Sequence, residues 1–400
     1  MARNGFKILD SDMHVFEPHD LYLKHMNPRW GDRIPRGEPR KRYGQVLFTD
    51  ANGGPIQPRK RPSETKKSVG TNGNPIPTQI STAASPRTGA VEGGPGYGAV
   101  EPRYEYSLKC NFDAVSQVSA MDKEGVDMAV LFRTSPLHCD DDLEPEFAND
   151  LCRAWNDWMA DFCKADSKRL RPSALITLHD VDLAVDETRR AVTQLGAIGL
   201  SLVPEPANGR HIHDRYYDPV WREAEKLGVP ICFHPAGSPN TEQVVRRFKG
   251  HPNDVVLMPA FRNPVELMLA VGSFCAGGVL ERFPRLRVAF LEGNCGWLPW
   301  ALYRLDERWE LKKDYTSEPL SMKPSDYFMR QCFISVDVEE DLVGDVIKRI
   351  GEDHLVISTD YPHTDSHWPD AVNDFMAMEM PRSARKKILW DNCARLYAVN

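Results

Sequence analysis

Eight short apolar runs alternate with helix-patterned stretches, and no GxGxxG motif follows the first run. Together these observations predict an α/β fold of the (β/α)8 TIM-barrel class. The runs and their helices occupy roughly 320 of the 400 residues, the size of such a barrel. A long Pro/Gly-rich insertion after the first strand makes up the rest. A doubly wound open sheet is the alternative, set aside because it lacks the glycine fingerprint.

The first strand is read at Phe6–Met13 (FKILDSDM). A helix over Ala114–Glu124 precedes the second, Val126–Phe132 (VDMAVLF). The amphipathic stretch Glu144–Lys164 leads to the third, Ser173–Leu178, and a helix at Val181–Gly196 to the fourth, Ile198–Val203. Helices at Pro219–Leu227 and Val265–Phe283 introduce the fifth and sixth strands, Val229–Phe233 and Leu286–Leu291. Cys332–Val336 and Leu355–Ser358 complete the set, with a helix at Val343–Ile350 between them. Short runs of this kind suit parallel strands buried on both faces.

Residues 33–110 have a different texture. They hold 10 of the 31 prolines and 11 of the 27 glycines, with 13 Lys/Arg against 6 Asp/Glu. No helical or strand period persists there. A short strand over Gly44–Thr49 and a hairpin turn at Gly53-Gly54 are its only expected elements. The chain's net charge is -7, so a segment with seven excess positive charges leaves the barrel near -14. The segment is read as a lid or subunit-contact arm within a single-domain chain.

Net charge -7 and a pI near 6.0 oppose a general nucleic-acid binder, which needs a basic face. No apolar run approaches the roughly 20 residues of a membrane span, and the N-terminus carries no signal-like region. The nine cysteines are scattered, odd in number and without a CxxC pair. They are read as small core residues in a reducing compartment. A cytoplasmic enzyme with a small-molecule substrate, and with neither nucleic acid nor membrane as partner, is expected.

Barrel chemistry is built at the C-terminal ends of the strands. The first strand ends in Asp10-Ser11-Asp12-Met13-His14, and alternation lets Asp12 and His14 reach one metal together. The fifth ends at His234, the sixth at Glu292, and the eighth at Asp360, with His363 three residues on. A mixed imidazole and carboxylate set at one end of the barrel suits zinc, iron or manganese. Arg133, just past the second strand, is placed to meet a substrate anion or to pair with one of Asp140–Asp142. Trp297 is read as a loop-packing or substrate-lining residue, like Trp300, and His138 and His179 as loop histidines.

The stretches DSDMHVFEP (Asp10–Pro18), LCRAWNDWMADFCKADSKRLRP (Leu151–Pro172), ICFHPAG (Ile231–Gly237), FLEGNCGWLPW (Phe290–Trp300), STDYPHTD (Ser358–Asp365) and ILWDNCARLY (Ile388–Tyr397) resemble the amidohydrolase superfamily. The resemblance is to its amidohydrolase-related branch, which includes aminocarboxymuconate-semialdehyde and resorcylate decarboxylases. It spans nearly all of the chain except the insertion. It implies a divalent metal on Asp12, His14, His234 and Asp360, and the habit of forming dimers. There are departures. Asp12 stands where many members have His, and Glu292 where many have a proton-transferring His. The fourth strand, IGLSLVP, lacks the lysine that is carboxylated in binuclear members.

Zinc is the expected metal, with iron or manganese as alternatives and one or two ions. Glu292 and Asp360 are the candidate bases for a metal-bound water, Glu292 doubling as a ligand to a second ion, and His363 assists. Because an added anion at Glu292 would repel a substrate carboxylate, these readings favour a metal-dependent hydrolase acting on an amide, ester, thioester or C–C bond. A metal-dependent non-oxidative decarboxylase of an aromatic or muconate-type acid is the alternative, followed by a catalytically silent barrel that only binds.

Overall fold

The computed structural model of the chain describes residues 5–37, 46, 48–53, 56, 102–135, 137–139, 142–235, 242–363 and 365–399. Most of the 33–110 insertion, and with it the lid-or-arm reading, lies outside the described residues. Eight strands form one sheet: β1 (Leu9–His14), β2 (Met128–Phe132), β3 (Leu170–Leu175), β4 (Gly199–Leu202), β5 (Ile231–Phe233), β6 (Val288–Phe290), β7 (Cys332–Asp337) and β8 (Leu355–Ser358). Each pairs in parallel with the next in chain order.

Hydrogen bonds across the seam between β1 and β8 close the ring. Ser11 Oγ donates to Ile357 O at 2.6 Å and Ser358 Oγ to Asp12 O at 3.0 Å. Past the end of β8, His14 N donates to Tyr361 O at 2.7 Å. The fold is the expected TIM barrel.

Around it lie helices α1 (Ala114–Glu124), α2 (Pro145–Cys163), α3 (Val181–Leu195), α4 (Asp218–Leu227), α5 (Asp254–Val271), α6 (Leu298–Lys312), α7 (Pro324–Gln331) and α8 (Val343–Ile350). Local sequence sets their ends. Asp113 caps α1 by accepting from Ser116 N at 2.8 Å, and Asp180 caps α3 by accepting from Asp182 N and Leu183 N at 3.0 Å. Gly196 terminates α3 at φ 75°, a conformation that costs a side-chain-bearing residue more.

The structure corrects several expected boundaries, β1 among them, which runs Leu9–His14 where Phe6–Met13 was read. β3 begins at Leu170, three residues earlier than read, with Pro172 inside it. Pro172 lacks an N–H, but its carbonyl still accepts from Ile198 N at 3.0 Å. The expected Val265–Phe283 helix starts at Asp254 and carries Pro259 and Pro264. It then passes through a π-helical turn, Gly272–Ala276, and a separate short helix, Val279–Arg282. Counted to Ala276, this helix is long and apolar enough to cross a membrane, alone among the described residues. The sequence reading passed over it because polar residues punctuate it. Here Leu267, Ala270 and Val271 pack it into the barrel's outer layer.

In the insertion, Phe48–Thr49 pairs antiparallel with Arg36–Gly37. The expected Gly44–Thr49 strand and Gly53-Gly54 turn lie in part outside the described residues. All nine cysteines are free, and all but Cys110 are buried, as expected of core residues.

Candidate metal centre

The C-terminal mouth of the barrel gathers five of the expected side chains. Asp12 and His14 lie at the end of β1, where the register with β2 shifts between Asp10 and Met13. His234 follows β5, Glu292 follows β6, and Asp360 follows β8. His234 Nε2 lies 3.0 Å from His14 Nε2, 3.5 Å from Asp12 Oδ1 and 2.7 Å from Glu292 Oε2. His14 Nε2 lies 3.7 Å from Asp12 Oδ1, 3.7 Å from Glu292 Oε2 and 3.5 Å from Asp360 Oδ1.

The backbone aims two of these carboxylates. Glu292 has φ 57° and Asp360 φ 55°, both in the left-handed region that side-chain-bearing residues avoid. Such strain, about 1–2 kcal/mol per residue, persists where surroundings impose it, often at functional sites. Glu292 N donates to Ser335 Oγ at 3.0 Å, and Asn263 Nδ2 on α5 donates to Glu292 Oε1 at 3.0 Å.

The hydrogen bonds fix the tautomers. His14 Nδ1 is 2.7 Å from Arg133 O, and His234 Nδ1 is 2.8 Å from Pro235 O. A carbonyl only accepts, so both Nδ1 atoms carry the proton. When both rings are neutral each Nε2 offers a lone pair to a cation; with no cation between them, Asp12 and Glu292 raise His234 against its burial, and its Nε2 donates to Glu292 Oε2 at 2.7 Å. Asp12 adds two buried oxygens with no hydrogen-bond partner. Two facing lone pairs and an orphaned carboxylate, each on a residue at most 2% exposed, fit a divalent cation.

The possible ligand groups, Asp12–His14–His234 and His14–Asp360–His363, share His14, whose Nδ1 is already committed. Nothing in this donor set selects zinc over manganese or iron.

The charges reflect the crowding. Burial pushes the Asp12 carboxyl up to about 8, with Glu292, Asp360 and Asp10 adding to the rise and His234 opposing it. Burial also holds His14 well below the usual histidine range, helped by His363 and His234. Burial raises Asp360 to about 6 against the pull of His363. For Glu292 burial is outweighed. His234, through charge and hydrogen bond, then His363 and Arg262, bring it down to about 2.

His363 stands at the open side of the centre, its ring 4.1 Å from that of His14. Nδ1 lies 2.7 Å from Asp360 Oδ1, and Nε2 lies 3.2 Å from Thr134 Oγ1. Thr134 spends its hydroxyl proton on Val15 O at 2.8 Å, so its oxygen accepts from His363 Nε2. With both nitrogens donating, His363 is an imidazolium. Burial opposes that charge, but Asp360 and Glu292 raise the ring to about 9.

Arg133 is 2% exposed and reaches across the mouth, its Nη2 3.4 Å from His234 O. Trp297 donates from Nε1 to Gly293 O at 2.7 Å, closing the loop after β6. Trp300 is exposed. His138 contacts Cys139 Sγ at 3.4 Å, and His179 contacts Thr177 Oγ1.

Sequence reasoning missed Thr134, Asp337 and Glu340. Glu340 accepts from Cys295 N and Gly296 N at 2.8 and 2.7 Å, and Asn294 Nδ2 donates to Asp337 Oδ2 at 2.6 Å. These bonds hold the loop that carries Glu292. Asp337 ends β7, so the strand-end rule reaches it. Thr134 has no signal beyond lying next to Arg133.

The chain matches the Amidohydrolase family over residues 111–399. It is 26% identical over 292 residues to the gamma-resorcylate decarboxylase of Polaromonas sp. JS666, covering 71% of this chain and 87% of that one. It is 26% identical over 251 residues to the 2-amino-3-carboxymuconate-6-semialdehyde decarboxylase of Dictyostelium discoideum, covering 63% and 67%. The fold is shared with the solved dihydroxybenzoic acid decarboxylase of Polaromonas sp. JS666, at a TM-score of 0.60, 24% identity and 71% and 85% coverage. That structure holds manganese and the inhibitor 2-nitroresorcinol.

These relatives overturn the hydrolytic expectation, and the site shows where its argument failed. Glu292 is not a bare anion facing the substrate, because Asn263 Nδ2 donates to its Oε1 at 3.0 Å and the positively charged His363 lies in its field. The strand-end histidines and carboxylates and the match over most of the barrel agree: the chain belongs to the amidohydrolase family.

Proposed function

We propose that this enzyme is a metal-dependent, non-oxidative decarboxylase of an aromatic or muconate-type carboxylic acid. The observation that carries the reading is the similarity, over most of the barrel, to decarboxylases acting on both kinds of acid. The reaction breaks the bond between the carboxylate and its carbon, releases CO2, and places a proton on the carbon left behind.

Asp12, His14 and His234 would hold the metal, with Asp360 and Glu292 beside them at the rim. The bound divalent cation supplies a positive point that draws the anionic substrate and fixes its oxygens. The more open rim, where Asp360, Glu292 and His363 are 26%, 30% and 18% exposed, is where substrate enters. His363 is the proton donor. Asp360 and Thr134 fix its ring, and both N–H groups are present before the substrate arrives. A positioned acid of this kind contributes about 10²–10⁴-fold to rate.

The test supplies the manganese-loaded enzyme with hydroxybenzoic and carboxymuconate-type acids, without added cofactor or oxygen, and measures CO2. Release that stops on chelation and returns with metal is expected. An enzyme that releases no CO2 from either class overturns the reading.

A further inference from the structure

A buried cation beside the metal centre lacks a counter-charge. Arg133 is 2% exposed. Its side chain starts at the end of β2 and ends against the residue after β5, three strands round the barrel. The guanidinium therefore lies across the mouth. Of its five N–H donors, one makes a 3.4 Å contact to His234 O, and Nε has no partner.

Among the described residues no carboxylate lies within ion-pair distance of Arg133. Its charge acts on His14, His234 and His138, none of which neutralises it. The carboxylate of Glu17, also on this side of the barrel, accepts from Thr134 N, Ser135 N and Trp155 Nε1 at 3.0, 3.1 and 3.2 Å. Of the partners the sequence left open as the alternative to a substrate anion, Asp142 makes no ion pair with Arg133, and Asp140 and Asp141 lie outside the described residues.

An unpaired buried charge is costly to keep, so its counter-ion is sought in the ligand. The reacting carboxylate suits this role badly. It loses its charge as CO2 departs, and an ion pair to it would stabilise the ground state more than the transition state. An anion that survives the reaction has no such penalty, and a planar fork matches a second carboxylate.

We propose that Arg133 anchors a non-reacting carboxylate, so that the substrate is a dicarboxylic acid. This rests on the decarboxylase reading, but its test is a binding measurement. Calorimetric titration of the manganese-loaded protein compares isophthalate with benzoate, each with a ring hydroxyl ortho to one carboxylate. The diacid is expected to bind more tightly to the wild type.

Arg133→Met should weaken the diacid at least about 30-fold and the monoacid far less, because truncating one partner of a buried charge pair removes most of its binding. Arg133→Lys should fall between. Without ligand, Arg133→Met should melt at or above the wild-type temperature, since it removes an uncompensated charge. Equal binding of both acids, an unchanged diacid affinity in Arg133→Met, or a variant that melts lower or fails to fold would each overturn the proposal. CO2 release from monoacids with no effect of Arg133→Met would sink this inference alone. Arg133-dependent diacid binding without CO2 release would uphold it and sink the decarboxylase reading.

Discussion

Replacing Asp12 by Asn in the chelated protein tests the charge logic of the centre. The folded chain holds a proton on Asp12 up to about pH 8, whereas an unfolded chain releases it near 4. Between those values the folded state binds more protons, so stability falls as pH rises. At pH 7 the accumulated penalty has an upper limit of about 4 kcal/mol. Asp12→Asn keeps the shape and removes the charge. The metal-free variant should therefore melt higher than metal-free wild type at pH 7, by up to roughly 5 °C for a chain of this length. Its melting temperature should also change less between pH 5 and pH 8. Metal reverses the order, because manganese raises the wild-type melting temperature and leaves the variant almost unmoved. The assay is thermal unfolding across pH, with and without metal. A metal-free Asp12→Asn that melts below metal-free wild type at pH 7, or gains as much from metal, would refute the reasoning.

His363→Asn should keep the metal and lose about 10²–10⁴-fold in kcat, measured by CO2 release alongside metal analysis. His234→Ala should lose bound metal and activity together, since it deletes a ligand. Glu340→Ala orphans the N–H groups of Cys295 and Gly296 and should cost about 2–4 kcal/mol in denaturant unfolding.

The fold was legible because each barrel strand lies in or beside a short apolar-rich run, and no barrel strand was missed. Some boundaries slipped around prolines, whereas β1 began three residues late with no proline near its start. Pro172 lies within β3, and Pro259 and Pro264 lie within α5. The metal centre was legible because a barrel delivers its strand ends to one place, so Asp12, His14, His234, Glu292 and Asp360 were found from local sequence alone. What Glu292 does there was not legible. Its character comes from His234, Asn263 and Ser335, which approach from other strands and from α5. The left-handed backbone at Glu292 and Asp360 and the Thr134 contact to His363 likewise arise only when distant segments meet.

The most direct test of metal-dependent decarboxylation with an enzyme-delivered proton is turnover in deuterated, ¹⁸O-enriched water, with mass analysis of the organic product. The account predicts one deuterium on the carbon that carried the carboxylate, no ¹⁸O in the product, and no turnover after chelation. A product carrying ¹⁸O from water, or turnover that continues without metal, would contradict it.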